Sequence, residues 1–289
     1  MLERMASTAV GFRTTTLPSG ETVPVLGQGT WHMAEDPARW DTEVAALRVG
    51  VDLGMSLIDT AEIYADGAAE RLVGEAIDGR RDDVFLVSKV APMHATRRGT
   101  VAACEGSLKR LGTDRLDLYL LHWRGSVPLE QTLEGFTELQ RAGKIRHWGV
   151  SNFGVADMEQ LLDTDGGDQV TTDQVLYNLS RRGVEYDLLP WCLKKLMLPI
   201  MAYSPIEQGR VLRHPEVRRI AKLHRATPAQ VALAWVLRHK GVITIPKAST
   251  PEHVREDRGA LDVHLTKADL AALDAAFPPP THAVPLEII

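Results

Sequence analysis

Residues 55–77 read "MSLIDTAEIYADGAAERLVGEAI", and the change of character inside that stretch decides the fold. The run Met55–Ile58 is short and largely apolar, as a strand buried on both faces should be. Asp59 ends it, a polar turn with Gly67 follows, and "AAERLVGEAI" spaces its apolar residues as a helix with one buried face does. Strand, turn and amphipathic helix make one βα unit. The same stretch poses a chemical question, because a carboxylate stands at the mouth of a buried strand with a phenol, Tyr64, five residues beyond it.

The unit recurs along the chain. Apolar runs rich in Val, Ile and Leu occur at 24–31, 55–60, 84–90, 116–123, 145–153, 173–178, 198–205 and 242–247. Between them lie helix patterns such as "DTEVAALRVGVDLG", "TVAACEGSLKRLG", "LEQTLEGFTELQRAGK" and "TPAQVALAWVLRHKG", several with a Thr or Asp start and a Gly stop. Eight such units in 289 residues predict an α/β protein with a (β/α)8 TIM barrel, for which roughly 250 residues is typical. A doubly wound sheet would announce a dinucleotide site with GxGxxG after its first strand, and "GQGTWH" lacks the third glycine. "FRTTTLPSGETVPV" sets a Pro-Ser-Gly turn between two β-prone segments, which predicts an N-terminal β-hairpin able to close the bottom of the barrel. No linker, repeat or low-complexity tract divides the chain, so residues 1–289 are expected to form one domain, with 278–289 as an irregular tail.

Composition narrows the function. With 44% hydrophobic and 25% charged residues and a formal net charge of −5, the chain lacks the basic face that nucleic acid or anionic lipid requires. Cys104 and Cys192 stand outside any CxxC spacing and read as reduced thiols. The N-terminal "MLERMASTAVGFRTTT" has no continuous apolar core, and no segment is long and apolar enough to span a membrane. The expectation is a cytoplasmic protein, monomeric or weakly homo-oligomeric, without nucleic-acid or membrane partners.

In a barrel, the C-terminal ends of the strands build the active site. Here those ends carry Trp31, Asp59, Lys89, His122, Ser151 with Asn152, Gln174, Tyr203 and Lys247. Asp59, Lys89 and His122 close three successive strands and would be neighbours, with Tyr64 beside them. A lysine buried against a carboxylate stays charged, and its field would make a nearby phenol a stronger acid than its ordinary pKa of about 10. A neutral imidazole beside that phenol could hold a carbonyl oxygen. Together these groups suit protonation of an oxygen that gains negative charge as hydride adds to a carbonyl.

The stretches "LIDTAEIYADGAAERLVGEAI", "VFLVSKV", "LDLYLLHW", "GVSNF" and "IPKAS" resemble the successive signatures of the aldo-keto reductase superfamily, over roughly residues 12–277. The resemblance implies a (β/α)8 barrel and a catalytic tetrad of Asp59, Tyr64, Lys89 and His122, with Tyr64 the proton donor and His122 orienting the carbonyl. It also implies a nicotinamide cofactor bound without a Rossmann motif. On that pattern Ser151, Asn152 and Gln174 hold the carboxamide, and Tyr203 stacks on the ring. Gly29, Thr30, Trp31 and Asp59 line the cofactor, and Ser204, Pro205, Ile206 and Gln208 follow the pyrophosphate. The adenosine end falls to Lys247, Ser249, His253, Glu256 and Asp257, with Arg255 as a further phosphate contact. Many members carry Ser after the Lys, Arg six residues beyond it and a closing Glu-Asn pair, where this chain has Ala248, His253 and Glu256-Asp257. NADPH is the expected cofactor and NADH the alternative.

"LYLLHWRGSVP", "YDLLPWC", "MAYSP" and "IPKASTPEHV" are most similar to bacterial members, among them enzymes that reduce methylglyoxal. Small aldehydes or ketoaldehydes are the implied substrates, met by Trp31, Tyr64, His122 and Trp123, with Met33 near them. A short connection after His122 and a modest tail predict an open pocket. The competing readings are a Schiff-base aldolase using Lys89 or Lys247, and a cofactor-binding sensing module of the same fold with little turnover. The sequence argues against a short-chain reductase, because no tyrosine has Lys four residues on.

Overall fold

The computed structural model describes residues 12–289, and the N-terminal stretch read above for a leader lies largely outside them. Strands β1 (Thr14–Thr16) and β2 (Thr22–Pro24) pair antiparallel across the Pro-Ser-Gly turn. Eight parallel strands follow: β3 (Gln28–Gly29), β4 (Leu57–Asp59), β5 (Phe85–Val90), β6 (Leu116–Leu121), β7 (Ile145–Ser151), β8 (Asp173–Leu176), β9 (Ile200–Tyr203) and β10 (Val242–Thr244). They are ordered sequentially from β3 to β10, and a parallel bridge between Leu26 and Thr244 joins the two edges. Every strand run read from the sequence holds one of these strands, each shorter than its run.

The barrel interior is filled by alternate residues. Leu118 and Leu120 of β6 point inward with Leu57, Val87, Met201 and Ile243, while Tyr119 and Leu121 face the helices. Leu17 and Val23 of the hairpin join the interior cluster beside Leu57 and Phe85, the first residues of β4 and β5, so the hairpin plugs the N-terminal end. Glu21 fastens that plug by accepting from His147 Nε2 at 2.7 Å and pairing with Arg146 at 2.9 Å, both at the start of β7.

Outside the strands lie α1 (Trp40–Asp52), α2 (Ala68–Ala76), α3 (Arg97–Leu111), α4 (Leu129–Arg141), α5 (Val155–Asp163), α6 (Leu188–Pro190), α7 (Pro215–His224), α8 (Pro228–Val236), α9 (Pro251–Arg258) and α10 (Lys267–Ala276). Val44 and Leu47 of α1, Leu72 and Val73 of α2 and Phe136 of α4 bury their stripe against the barrel. The helix patterns hold with two shifts. α3 begins at Arg97 because Thr96, not Thr100, caps it through Gly99 N–H, and it stops at Gly112 in the left-handed region. α8 has the Thr227–Gln230 capping box but ends at Val236, five residues before Gly241, because the chain must turn there to enter β10. The six-residue π-helix Trp191–Leu196 after α6 was not anticipated by any periodicity.

Candidate active site

The strand ends converge on one cavity of about 910 Å³ at the C-terminal end of the barrel. Lys89, fully buried on β5, lies under its floor, and its ammonium makes three bonds. Nζ donates to Asp59 Oδ2 at 2.7 Å, to the Thr60 carbonyl at 2.9 Å and to Tyr64 Oη at 3.1 Å. Asp59 is equally enclosed, and its second oxygen accepts from Gln174 Nε2 at 2.7 Å. A buried pair of this kind holds only when the remaining lone pairs and protons are also satisfied, which Thr60 and Gln174 accomplish.

Tyr64 reaches Lys89 because the chain doubles back. Ala65, Asp66 and Gly67 take φ values of +47°, +51° and +77°, a left-handed run that only glycine adopts freely. Glu62 fixes the same loop by accepting from the Ala91 N–H at 2.7 Å, just past the end of β5. Glu62 was not singled out from the sequence, where a loop glutamate reads as surface charge.

The electrostatics differ in one respect from the sequence expectation. Burial lifts the Tyr64 phenol above its ordinary value, and the downward pull of Lys89 does not overcome it. Lys89 itself is held above its usual value: burial disfavours its charge, but Asp59 and Tyr64 more than offset that. Tyr64 therefore keeps its proton at neutral pH beside a permanent cation. His122 packs edge-on to the Tyr64 ring at 5.7 Å, and burial, with Lys89 assisting, lowers its pKa to about 2. Its Nδ1 is buried, with no partner among the described residues.

Beside these four groups, Ser151 donates its hydroxyl to the Gln174 carbonyl at 2.8 Å, and Asn152, at φ +60°, donates Nδ2 to the His122 carbonyl at 3.1 Å. Tyr203 Oη donates to Asn152 Oδ1 at 2.9 Å. Of the residues named from the sequence, Gly29, Thr30, Trp31, Asp59, Tyr64, His122, Trp123, Ser151, Asn152, Gln174, Tyr203, Ser204, Pro205, Ile206, Gln208 and Lys247 line the cavity. Ser249 stands behind the wall, accepting from Lys247 Nζ at 3.0 Å. His253, Glu256 and Asp257 lie on α9, outside the lining, with His253 exposed. Met33, expected beside Trp31, is instead in the core between barrel and helices, because His32 at φ +63° and a turn from Thr30 point it inward.

The tail departs most from expectation. Residues 278–289 have no regular structure, yet Ile288 and Ile289 return to the cavity wall, so the pocket is less open than a modest tail implied. His32, Glu35, Ile63, Ala65, Gly209 and Ile245 complete the lining. They had no signal in the sequence, because none ends an apolar run as a polar group.

A model of the aldo/keto reductase family matches residues 25–277. The chain belongs to the aldo/keto reductase family. Methylglyoxal reductase YeaE of Escherichia coli strain K12 is 53% identical over 272 residues, covering 92% of this chain and 95% of that protein. Methylglyoxal reductase DkgB of Salmonella typhimurium is 31% identical, covering 88% and 94%. Among solved structures, an aldo/keto reductase from Klebsiella pneumoniae in complex with NADP and acetate superposes with a TM-score of 0.94 at 49% identity, covering 96% of this chain and all of that one. Family membership makes the protein an oxidoreductase, and it agrees with the barrel and hairpin derived from the strand pattern. Among the described residues, no helix is long and apolar enough to cross a membrane.

Proposed function

We propose that the enzyme reduces small aldehydes and ketoaldehydes, methylglyoxal among them, to alcohols with NADPH, and that Tyr64 delivers the proton. The observation that carries this reading is the Lys89 ammonium bound at once to Asp59 and Tyr64 beneath the cavity. The described residues fit the cofactor. The Ser151 hydroxyl with the Asn152 and Gln174 amides offers donors and acceptors for a carboxamide, the Tyr203 ring a face for a flat heterocycle, and Lys247 a cation for a phosphate. A cavity of about 910 Å³ is of the size that encloses such ligands. Bound there, NADPH supplies the hydride that goes to the carbonyl carbon.

The chain's own groups handle the oxygen. An orphaned buried Nδ1 costs less as a bare lone pair than as an unpaired N–H, so the His122 proton sits on Nε2, which donates to the substrate oxygen. Tyr64 gives its proton to that oxygen as charge gathers on it, and Lys89 stabilises the phenolate left behind. Solvent then restores the proton. Asp59 keeps Lys89 charged and placed. Trp31, Trp123 and Ile63 supply an apolar wall for the rest of a small carbonyl substrate. At the other end, Lys247 and Ser249 receive the phosphate that distinguishes NADPH from NADH, with His253, Arg255, Glu256 and Asp257 near the adenosine. In this reading the enzyme works in the cytoplasm as a single-domain monomer or weak homo-oligomer, with no nucleic-acid or membrane partner.

Tyr64→Phe tests the assignment, since it removes one hydroxyl with almost no change of shape. Methylglyoxal-dependent NADPH oxidation should fall by about 10²–10⁴-fold while NADPH still quenches the tryptophan fluorescence. Full activity in that variant would refute the role of Tyr64.

A further inference from the structure

One loop fastens the C-terminal segment to the barrel. Residues 177–187, between β8 and α6, meet that segment twice. Val284 lies against Gly183, where an added Cβ would come within 2.7 Å of the Val284 Cγ2. Glu287 pairs with the Arg181 guanidinium. Just beyond that pair, Ile288 and Ile289 enter the cavity wall that Tyr203 also lines.

The same loop also holds residues 204–208, a second segment of the cavity lining. Arg181 Nε donates to Glu207 Oε1 at 3.1 Å. Asn178 Nδ2 donates to Glu207 Oε2 at 2.7 Å and to the Ser204 carbonyl at 2.9 Å. Asn178 Oδ1 in turn accepts the Arg181 main-chain N–H at 3.0 Å, which fixes where that guanidinium starts. The segment so held is strained: Ser204, Glu207 and Gln208 have φ of +47°, +48° and +53°, conformations that persist only when surroundings impose them. Glu207 is buried and supplies the anchor.

Arg181 is thus shared between a carboxylate of the cofactor-side loop and a carboxylate of the tail. An ion pair as exposed as Arg181–Glu287 contributes little to stability by itself. Its effect is geometric, because the guanidinium is a rigid planar fork and cannot turn toward one carboxylate without moving its donors relative to the other. We propose that Arg181 is a positioning residue that couples the two sides, so that filling the cofactor side sets the place of the Ile288–Ile289 wall met by the substrate. The inference rests on the reading that NADPH and a carbonyl compound share this cavity. Coupling between sites is reciprocal, so a change at Glu287 must be felt in NADPH affinity.

The enzyme allows a direct test, with NADPH Kd from tryptophan quenching and KM and kcat for 4-nitrobenzaldehyde, an aromatic aldehyde that, unlike an α-dicarbonyl, leaves arginine unmodified. Glu287→Gln should weaken NADPH binding and raise the 4-nitrobenzaldehyde KM, each by about fivefold, with kcat little changed. On an Arg181→Met background the same substitution should add nothing. Should Arg181→Met not fold, Arg181→Lys serves, because one ammonium cannot bridge both carboxylates as a fork does. An unchanged NADPH Kd in Glu287→Gln, or the same loss with and without Arg181, overturns the coupling. If the reading of the cavity itself is wrong, the unmodified enzyme neither binds nor oxidises NADPH, an outcome distinct from failure of the coupling.

Discussion

Lys89 shows how one side chain serves both stability and chemistry. Its ammonium and the Asp59 carboxylate are almost wholly removed from water, so removal of either partner leaves a buried charge without its counterion. Lys89→Met should therefore cost about 3–5 kcal/mol in denaturant unfolding. It should also slow carbonyl reduction, because Lys89 is the group that pulls the Tyr64 pKa down, and without it the phenol is a weaker acid. His122 makes the complementary point. Its folded pKa of about 2 lies far below the ordinary 6.5, so the unfolded chain takes up a proton below pH 6.5 that the folded chain refuses. The contribution to stability is whole above pH 6.5 and is lost progressively as pH falls toward 2. His122→Gln should flatten the acid side of the stability profile in that window, as thermal unfolding at several pH values would reveal. At this scale the sequence was informative because Asp59, Lys89 and His122 each interrupt an apolar run. Glu62 and the doubling back of residues 65–67 were not, since three consecutive left-handed residues leave no pattern in the letters except Gly67.

Helix α9 carries the next lesson. Asp257 on its buried face has a pKa raised to about 8 from 3.8, first by burial and then by the charge of Glu256. The folded chain thus holds a proton that the unfolded chain releases, and stability falls as pH rises from 3.8 to about 8. Asp257→Asn should raise the unfolding free energy by on the order of 2–4 kcal/mol at pH 8 and by less at pH 5. The strand-end cation before α9 invites a different measurement. Lys247 is exposed at the rim of the cavity that it lines, and partial desolvation of its ammonium there is the main cause that lowers its pKa. Lys247→Ala should narrow the preference for NADPH over NADH by about 10–100-fold, read from the ratio of kcat/KM values. Strands and helices were legible because burial imposes a period on them. The tail was not: Ile288 and Ile289 are two apolar residues in an aperiodic stretch, brought to the cavity by the fastening of Val284 and Glu287 to the loop after β8 and by Leu286 packing on the core.

Seen whole, the molecule separates its tasks between the ends of the barrel. The hairpin and its Glu21 contacts close one end, while every cavity-lining side chain with a proposed role lies toward the other. Glu21→Ala should lower stability by about 1 kcal/mol and leave kcat/KM for methylglyoxal unchanged, with urea unfolding and initial rates as the two measurements. That polarity also bears on how the enzyme can be attached to a surface. Both native cysteines are buried, and burial pushes their thiols up, so neither competes for a thiol-reactive support. Ser19 lies exposed in the hairpin turn, and a cysteine placed there would tether every molecule with its mouth facing the solution. A tether beyond Ile289 would instead press the mouth against the support.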